Sequence, residues 1–137
     1  MVDTNLEINS QSLNFSFFSV IDSGADHCVF PATFGERLGL DIKTGLHMPA
    51  AGFGGGDDLY FHKVKIWVQI EGGAWHWECH AGFSEGMNKL GVGLLGRLGF
   101  FELFEEVSFD QNNRMTRLKV HGDKPSSTPP PPSPISS

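Results

Sequence analysis

Apolar and polar residues alternate most regularly in KVKIWVQI, residues 63–70. Val64, Ile66, Val68 and Ile70 fall on one side, and Lys65, Trp67 and Gln69 on the other. A period of two sustained over such a stretch predicts a half-buried β-strand. EGG (71–73) then predicts a turn into AWHWECHAGF, a second strand that completes a hairpin. Upstream, TNLEI (4–8) alternates weakly and NSQS reads as a turn. LNFSFFSVI (13–21) puts Leu13, Phe15 and Phe17 on one face and Phe18 and Val20 on the other, so its second half is expected to be buried on both sides. Pro31 and the following ATFGERL predict one short helix. GLLGRLGFFELF (93–104), apolar and broken by glycine, predicts another, and EVSFD, QNN and RMTRLKV predict a closing hairpin.

The stretch HGDKPSSTPPPPSPISS (121–137) has almost nothing to bury. It is expected to be a disordered Pro/Ser-rich tail with polyproline II character. A plain solvated tail is favoured over a docking run for a proline-binding partner at Pro129–Pro132. That leaves residues 1–120 as one domain, and 137 residues with 39% hydrophobic content leave little room for a second. Seventeen glycines imply many tight turns and short strands, and there is no internal repeat. The expected class is all-β: a small closed β-barrel-like domain with one or two short helices.

The net charge of −6, with scattered Lys and Arg, gives no basic stripe and argues against nucleic acid and anionic membrane as partners. No run of about 18 apolar residues occurs. The opening MVDTNLEINSQ lacks a basic-then-apolar signal pattern, which favours a cytoplasmic location. Cys28 and Cys79 stand at no motif spacing; one disulfide is possible, but two reduced thiols are the better expectation there.

Candidate chemistry begins with VIDSGAD (20–26). An apolar strand delivers Asp22 to a site of low dielectric, Ser23 offers a hydroxyl, and Gly24 permits a tight turn. An ordinary strand-end turn would read the same way. Other constellations are weaker. His76, Glu78 and His80 share one face of a strand but span about 13 Å, too far for one metal ion without a bend, so an exposed polar face is favoured. His27 beside Cys28 suggests a base and a thiol nucleophile, yet Val29 and Phe30 imply that Cys28 is buried. GFGGGD (52–57) lacks the Lys-Ser/Thr and the strand-to-helix context of a phosphate loop.

Three elements in order change the picture. VIDSGAD resembles the active-site loop of the retropepsin-like aspartic proteases. AAGFGGGDDLYF (50–61) resembles their glycine-rich flap, and VGLLGRLGFF (92–101) their Leu/Ile-Leu-Gly-Arg block. Together they cover about residues 13–109. The resemblance implies a homodimer, because each monomer of that family supplies one Asp-[Thr/Ser]-Gly loop and this chain has one such triplet. It implies an endopeptidase acting on a peptide or protein substrate, with no metal and no cofactor. Asp22, Ser23 and Gly24 would be the catalytic loop, with Ser23 bonding across the dimer axis and the carbonyl of Gly24 facing the substrate backbone. Gly52, Phe53, Gly54, Gly55 and Gly56 would form the flap over the substrate, although Asp57 and Asp58 are unusual beside its tip. Asp26 and Arg97 match positions that pair within the monomer, tying the loop to the helix expected to open at Gly96. Family dimer interfaces come from terminal strands, which makes FEEVSF and RMTRLKV the candidate interface here. The alternative is a catalytically silent dimerisation or peptide-binding module on the same fold. The presence of both Asp22 and Ser23 favours the enzyme.

Overall fold

A computed structural model describes residues 1–49, 58–70, 73–110, 115–120 and 126–128. The first hairpin joins β1 (Val2–Ile8) to β2 (Gln11–Ser12) through Asn9 and Ser10, whose φ angles are 52° and 65°. Two consecutive positive φ values define the tight hairpin turn whose twist matches its strands. Asn5 on β1 is fully buried, and its amide is satisfied: Nδ2 donates to the carbonyl of Leu13, while Oδ1 accepts from the N–H groups of Leu6 and Leu13.

The chain then forms β3 (Phe17–Ile21), β4 (Val29–Pro31), α1 (Ala32–Arg37), β5 (Leu46–Pro49), β6 (Asp58–Ile70), β7 (Gly73–Ser84) and β8 (Gly93–Leu95). Hydrogen bonding runs β7–β4–β8–β3–β1–β6 and returns from β6 to β7, closing a six-stranded barrel. Strand makes up 55% of the structure, and helix is confined to α1 and short 3-10 turns, so the domain is all-β as expected. The β6–β7 hairpin holds one register from Tyr60↔Phe83 to Ile70↔Gly73. Val64, Ile66, Val68 and Ile70 are buried in the main core beside Phe17, Phe30, Phe83 and Phe100. Phe17 meets Phe30 and Phe34 at ring separations of 5.8 and 4.6 Å. Full burial of one such ring is worth about 1.5–3 kcal/mol. The burial parity of β6 switches along its length, because Leu59 and Phe61 instead join a second cluster with Val29, Met87 and Leu94.

The helix α1 forms where expected and ends cleanly. Gly39 takes φ +90°, its N–H bonds the carbonyl of Glu36, and the N–H of Leu40 bonds that of Gly35. This is the paired reverse bonding of a Schellman stop, which a left-handed glycine makes possible.

Two local expectations are corrected. Residues 93–104 are not a helix: Gly93–Leu95 is the strand β8, and only Phe101–Leu103 coils, as a 3-10 turn. A short apolar run is read equally well as buried strand or helix; here β3 and β4 flank it on both sides, and Gly96 and Gly99 interrupt any continuation. Phe18 is not buried but 53% exposed, while Phe17 and Ser19 on the opposite face of β3 are buried.

The last expected hairpin forms as β9 (Phe104–Asp110) and β10 (Met115–Val120), a two-stranded sheet separate from the barrel. Within the stretch expected to be a disordered tail, Ser126–Thr128 (β11) pairs antiparallel with Ala74–His76 of β7. The run Pro129–Pro132 lies outside the described residues.

Candidate active site

The loop that leaves β3 is braced by the segment leaving β8. β3 and β8 run parallel through Ser19↔Gly93, Val20↔Leu94 and Ile21↔Leu95. The N–H of Asp22 extends that ladder by bonding the carbonyl of Leu95 at 3.0 Å. Asp22 then turns the chain on itself. Its Oδ1 accepts the N–H of Gly24 at 2.9 Å, and its carbonyl accepts that of Ala25 at 3.1 Å. A side chain that bonds its own backbone two residues on is the usual role of aspartate in turns, and here it fixes the carboxylate's direction.

The second brace explains why Gly96 is glycine. The N–H of Arg97 bonds the carbonyl of Ala25 at 2.8 Å and that of Leu98 bonds the carbonyl of Asp26 at 2.9 Å, while His27 and Leu98 form a parallel bridge. These bonds draw the two loops so close that a methyl on Gly96 would meet the carbonyl oxygens of His27 and Ala25 at 2.3 and 2.8 Å. Both are backbone atoms, so nothing there can rotate away.

Arg97 Nη2 donates to Asp26 Oδ1 at 3.1 Å, joining the two loops through side chains as well. The partners are 62% and 72% exposed, so the pair adds direction more than stability. Arg97 acts from an extended turn after β8, not from a helix.

Asp22 is half-buried, and Ser23 and Gly24 are exposed. Asp22 lies at the wall of a cavity of about 380 Å³. Asp26 and His27 line the same cavity, as do Met48 and Pro49 from β5. Its apolar wall is the second core cluster: Val29, Leu59, Met87 and Leu94 belong to both. The switch in β6 parity has this result, since Leu59 is turned toward the cavity rather than into the main core. The ring of His27 stands edge-on to Phe61, 4.9 Å between centroids. The cavity thus sets a carboxylate against an apolar wall, the usual composition of a site that binds an apolar side chain and orients polar backbone near it.

Asp22, Ser23, Gly24, Asp26, Gly96 and Arg97 are therefore brought together. Gly52, Phe53, Gly54, Gly55 and Gly56 lie outside the described residues. The strands that lead into and out of that segment are in place, with β5 and β6 paired from Leu46↔Phe61 to Pro49↔Asp58.

Met48, Pro49, Leu59, Ser84 and Met87 were not anticipated as site residues. Only a parity change in the apolar pattern before Val64 hinted at Leu59, and nothing in the sequence placed Met87. His76, Glu78 and His80 do not gather round a point. His76 stacks on Trp67 at 4.5 Å, and Glu78 and His80 are exposed. Among the described residues no group of three His, Cys, Asp or Glu could hold a metal ion. No family model, no curated protein and no solved structure matches this chain.

Proposed function

We propose that the chain is an aspartic endopeptidase that acts as a homodimer, each subunit contributing Asp22. The observation that carries this reading is the placement of Asp22: fixed in direction by its own turn, braced by the Gly96–Leu98 segment, and set in a cavity that also has an apolar wall. With Asp26 engaged by Arg97, Asp22 with exposed Ser23 and Gly24 beside it is half of a site, and a two-fold partner supplies the other half from the same sequence. Among the described residues β9 and β10 pair only with each other, and their outer edges are where that partner would add.

The chemistry follows from the pair. Two carboxylates a few Å apart do not both ionise readily, so together they hold one proton. The ionised member takes a proton from a water, whose oxygen bonds to the scissile carbonyl carbon. The protonated member gives its proton to the carbonyl oxygen, forming a tetrahedral diol. Transfer of a proton to the amide nitrogen then lets the C–N bond break, releasing an acid and an amine. Ser23 bonds to the opposite loop and keeps the carboxylates nearly coplanar, and the carbonyl of Gly24 receives an N–H of the extended substrate. Val29, Leu59, Met87 and Leu94 favour an apolar substrate side chain.

The test is cleavage of a mixed peptide library between about pH 3 and 7, with wild type beside Asp22→Asn. The reading predicts cleavage in an acidic window that Asp22→Asn abolishes. A protein that is dimeric by sedimentation and cleaves nothing would overturn it in favour of a peptide-binding module.

A further inference from the structure

Cys28 and Cys79 come from distant parts of the chain and meet behind the Asp22 loop. Cys28 immediately precedes β4 and is fully buried; Cys79 lies on β7 and is only partly buried. The parallel register Val29↔Gly82, reinforced by the N–H of Gly82 on the carbonyl of Cys28 at 2.9 Å, puts Ala81 beside Cys28. Cys79 is two residues earlier on β7 and so points to the same side as Ala81. Gly99 covers both: a methyl built on it would lie 3.3 Å from each sulfur. Gly99 is in turn pinned, its carbonyl accepting from Trp77 Nε1 at 2.6 Å and its N–H donating to Glu102 Oε1 at 3.0 Å.

We propose that Cys28 and Cys79 form a redox modification site, a dithiol that a hydroperoxide converts to an internal disulfide. The two sulfurs, both beside Gly99, act on one another's ionisation, and that mutual influence divides their roles. It is the first cause lowering the Cys79 thiol below its ordinary value, and the first cause raising Cys28, with burial adding to the rise. Cys79 is thus both the reachable sulfur and the better thiolate, the two properties that select the attacking residue.

The steps balance. The Cys79 thiolate attacks the terminal oxygen of hydrogen peroxide, the O–O bond breaks, and with one proton taken up a water leaves and Cys79 becomes a sulfenic acid. The Cys28 sulfur then attacks the Cys79 sulfur, the S–O bond breaks, and a second water leaves with the Cys28 proton. Two thiols are oxidised by two electrons and one peroxide is reduced to two waters. Diagonal neighbours on paired strands have Cα atoms about 7–8 Å apart, and a disulfide usually has them about 5.5–6 Å apart. The backbone around Cys28 and Cys79 therefore has to close by roughly 1.5–2 Å for the bridge to form, and the missing side chain of Gly99 leaves room above the sulfurs.

The experiment uses the reduced full-length chain, exposed to hydrogen peroxide, quenched with a thiol alkylator in denaturant, and read by intact mass and peptide mapping. The expected product carries no alkyl label, weighs about 2 Da less than the reduced chain, contains a linked Cys28–Cys79 peptide pair and reverts with a dithiol reductant. Cys28→Ser should accumulate a dimedone-trapped sulfenic acid at Cys79, whereas Cys79→Ser should keep Cys28 as a thiol over the same interval. Two alkylatable thiols in peroxide-treated wild type, a Cys79 sulfinic acid without a disulfide, or disulfides only between chains would each overturn the proposal. None of these readouts depends on peptidase activity.

Discussion

Substituting Gly96 by alanine tests the bracing of the Asp22 loop. The added methyl would stand 2.3 Å from the carbonyl oxygen of His27 and 2.8 Å from that of Ala25, against atoms that belong to backbone. Relief requires the two loops to part, which stretches the bonds from Arg97 N–H to Ala25 and from Leu98 N–H to Asp26. Overpacking of a close contact costs about 1–3 kcal/mol, and each weakened hydrogen bond about 1 kcal/mol. A loss of about 3–5 kcal/mol is a large share of a small domain's stability. At roughly 4 °C per kcal/mol for a chain of this size, Tm should fall by about 12–20 °C. Gly91→Ala is the matched control. Gly91 has φ +65° and nothing within 4 Å of its would-be methyl, so only backbone strain of about 1–2 kcal/mol applies. Thermal unfolding followed by circular dichroism compares the two variants directly. Equal losses in both would refute the close approach of the two loops.

Other positions give sharper contrasts. Ser19 Oγ is buried and has no hydrogen-bond partner among the described residues, so Ser19→Ala should raise stability by about 1 kcal/mol in urea unfolding. Asn5→Ala removes three satisfied bonds inside the barrel and should lower stability by about 3 kcal/mol in the same assay. Arg97→Ala breaks an exposed pair and should change stability by less than about 1 kcal/mol, while reducing peptide cleavage through a less firmly held Asp22 loop. The imidazole of His76 is held below its ordinary value, first by burial and then by Lys65. The unfolded chain therefore takes up this proton before the folded one does, and stability falls as pH drops below about 6.5. His76→Gln should flatten that part of the stability curve, measured by urea unfolding at several pH values.

The strand β6 was legible because one face had to enter the core: Val64, Ile66, Val68 and Ile70 repeat with the period of the pleat. The Asp22 turn and the Asp26–Arg97 contact were legible for a different reason, since short motifs carried them and the chain brings those motifs together. β8 was misread as helix because three buried residues between two strands show no period of their own. Phe18 was misread because an aromatic residue in a strand says nothing about which face is covered. The apolar wall of the cavity was hidden more deeply. It is built from residues 29, 59, 87 and 94, which no local pattern links, and only the closed barrel makes them neighbours. The same holds for Cys28 and Cys79, whose meeting depends on the register of β4 against β7.

The central claim, that one site needs Asp22 from two chains, is tested most directly by titrating Asp22→Asn into wild type under conditions where subunits exchange. Cleavage should fall as the square of the wild-type fraction, to about one quarter of full activity at an equal mixture, because a mixed dimer has a single catalytic carboxylate. A linear fall, to about one half at that mixture, would mean that each chain acts alone and would contradict a shared site.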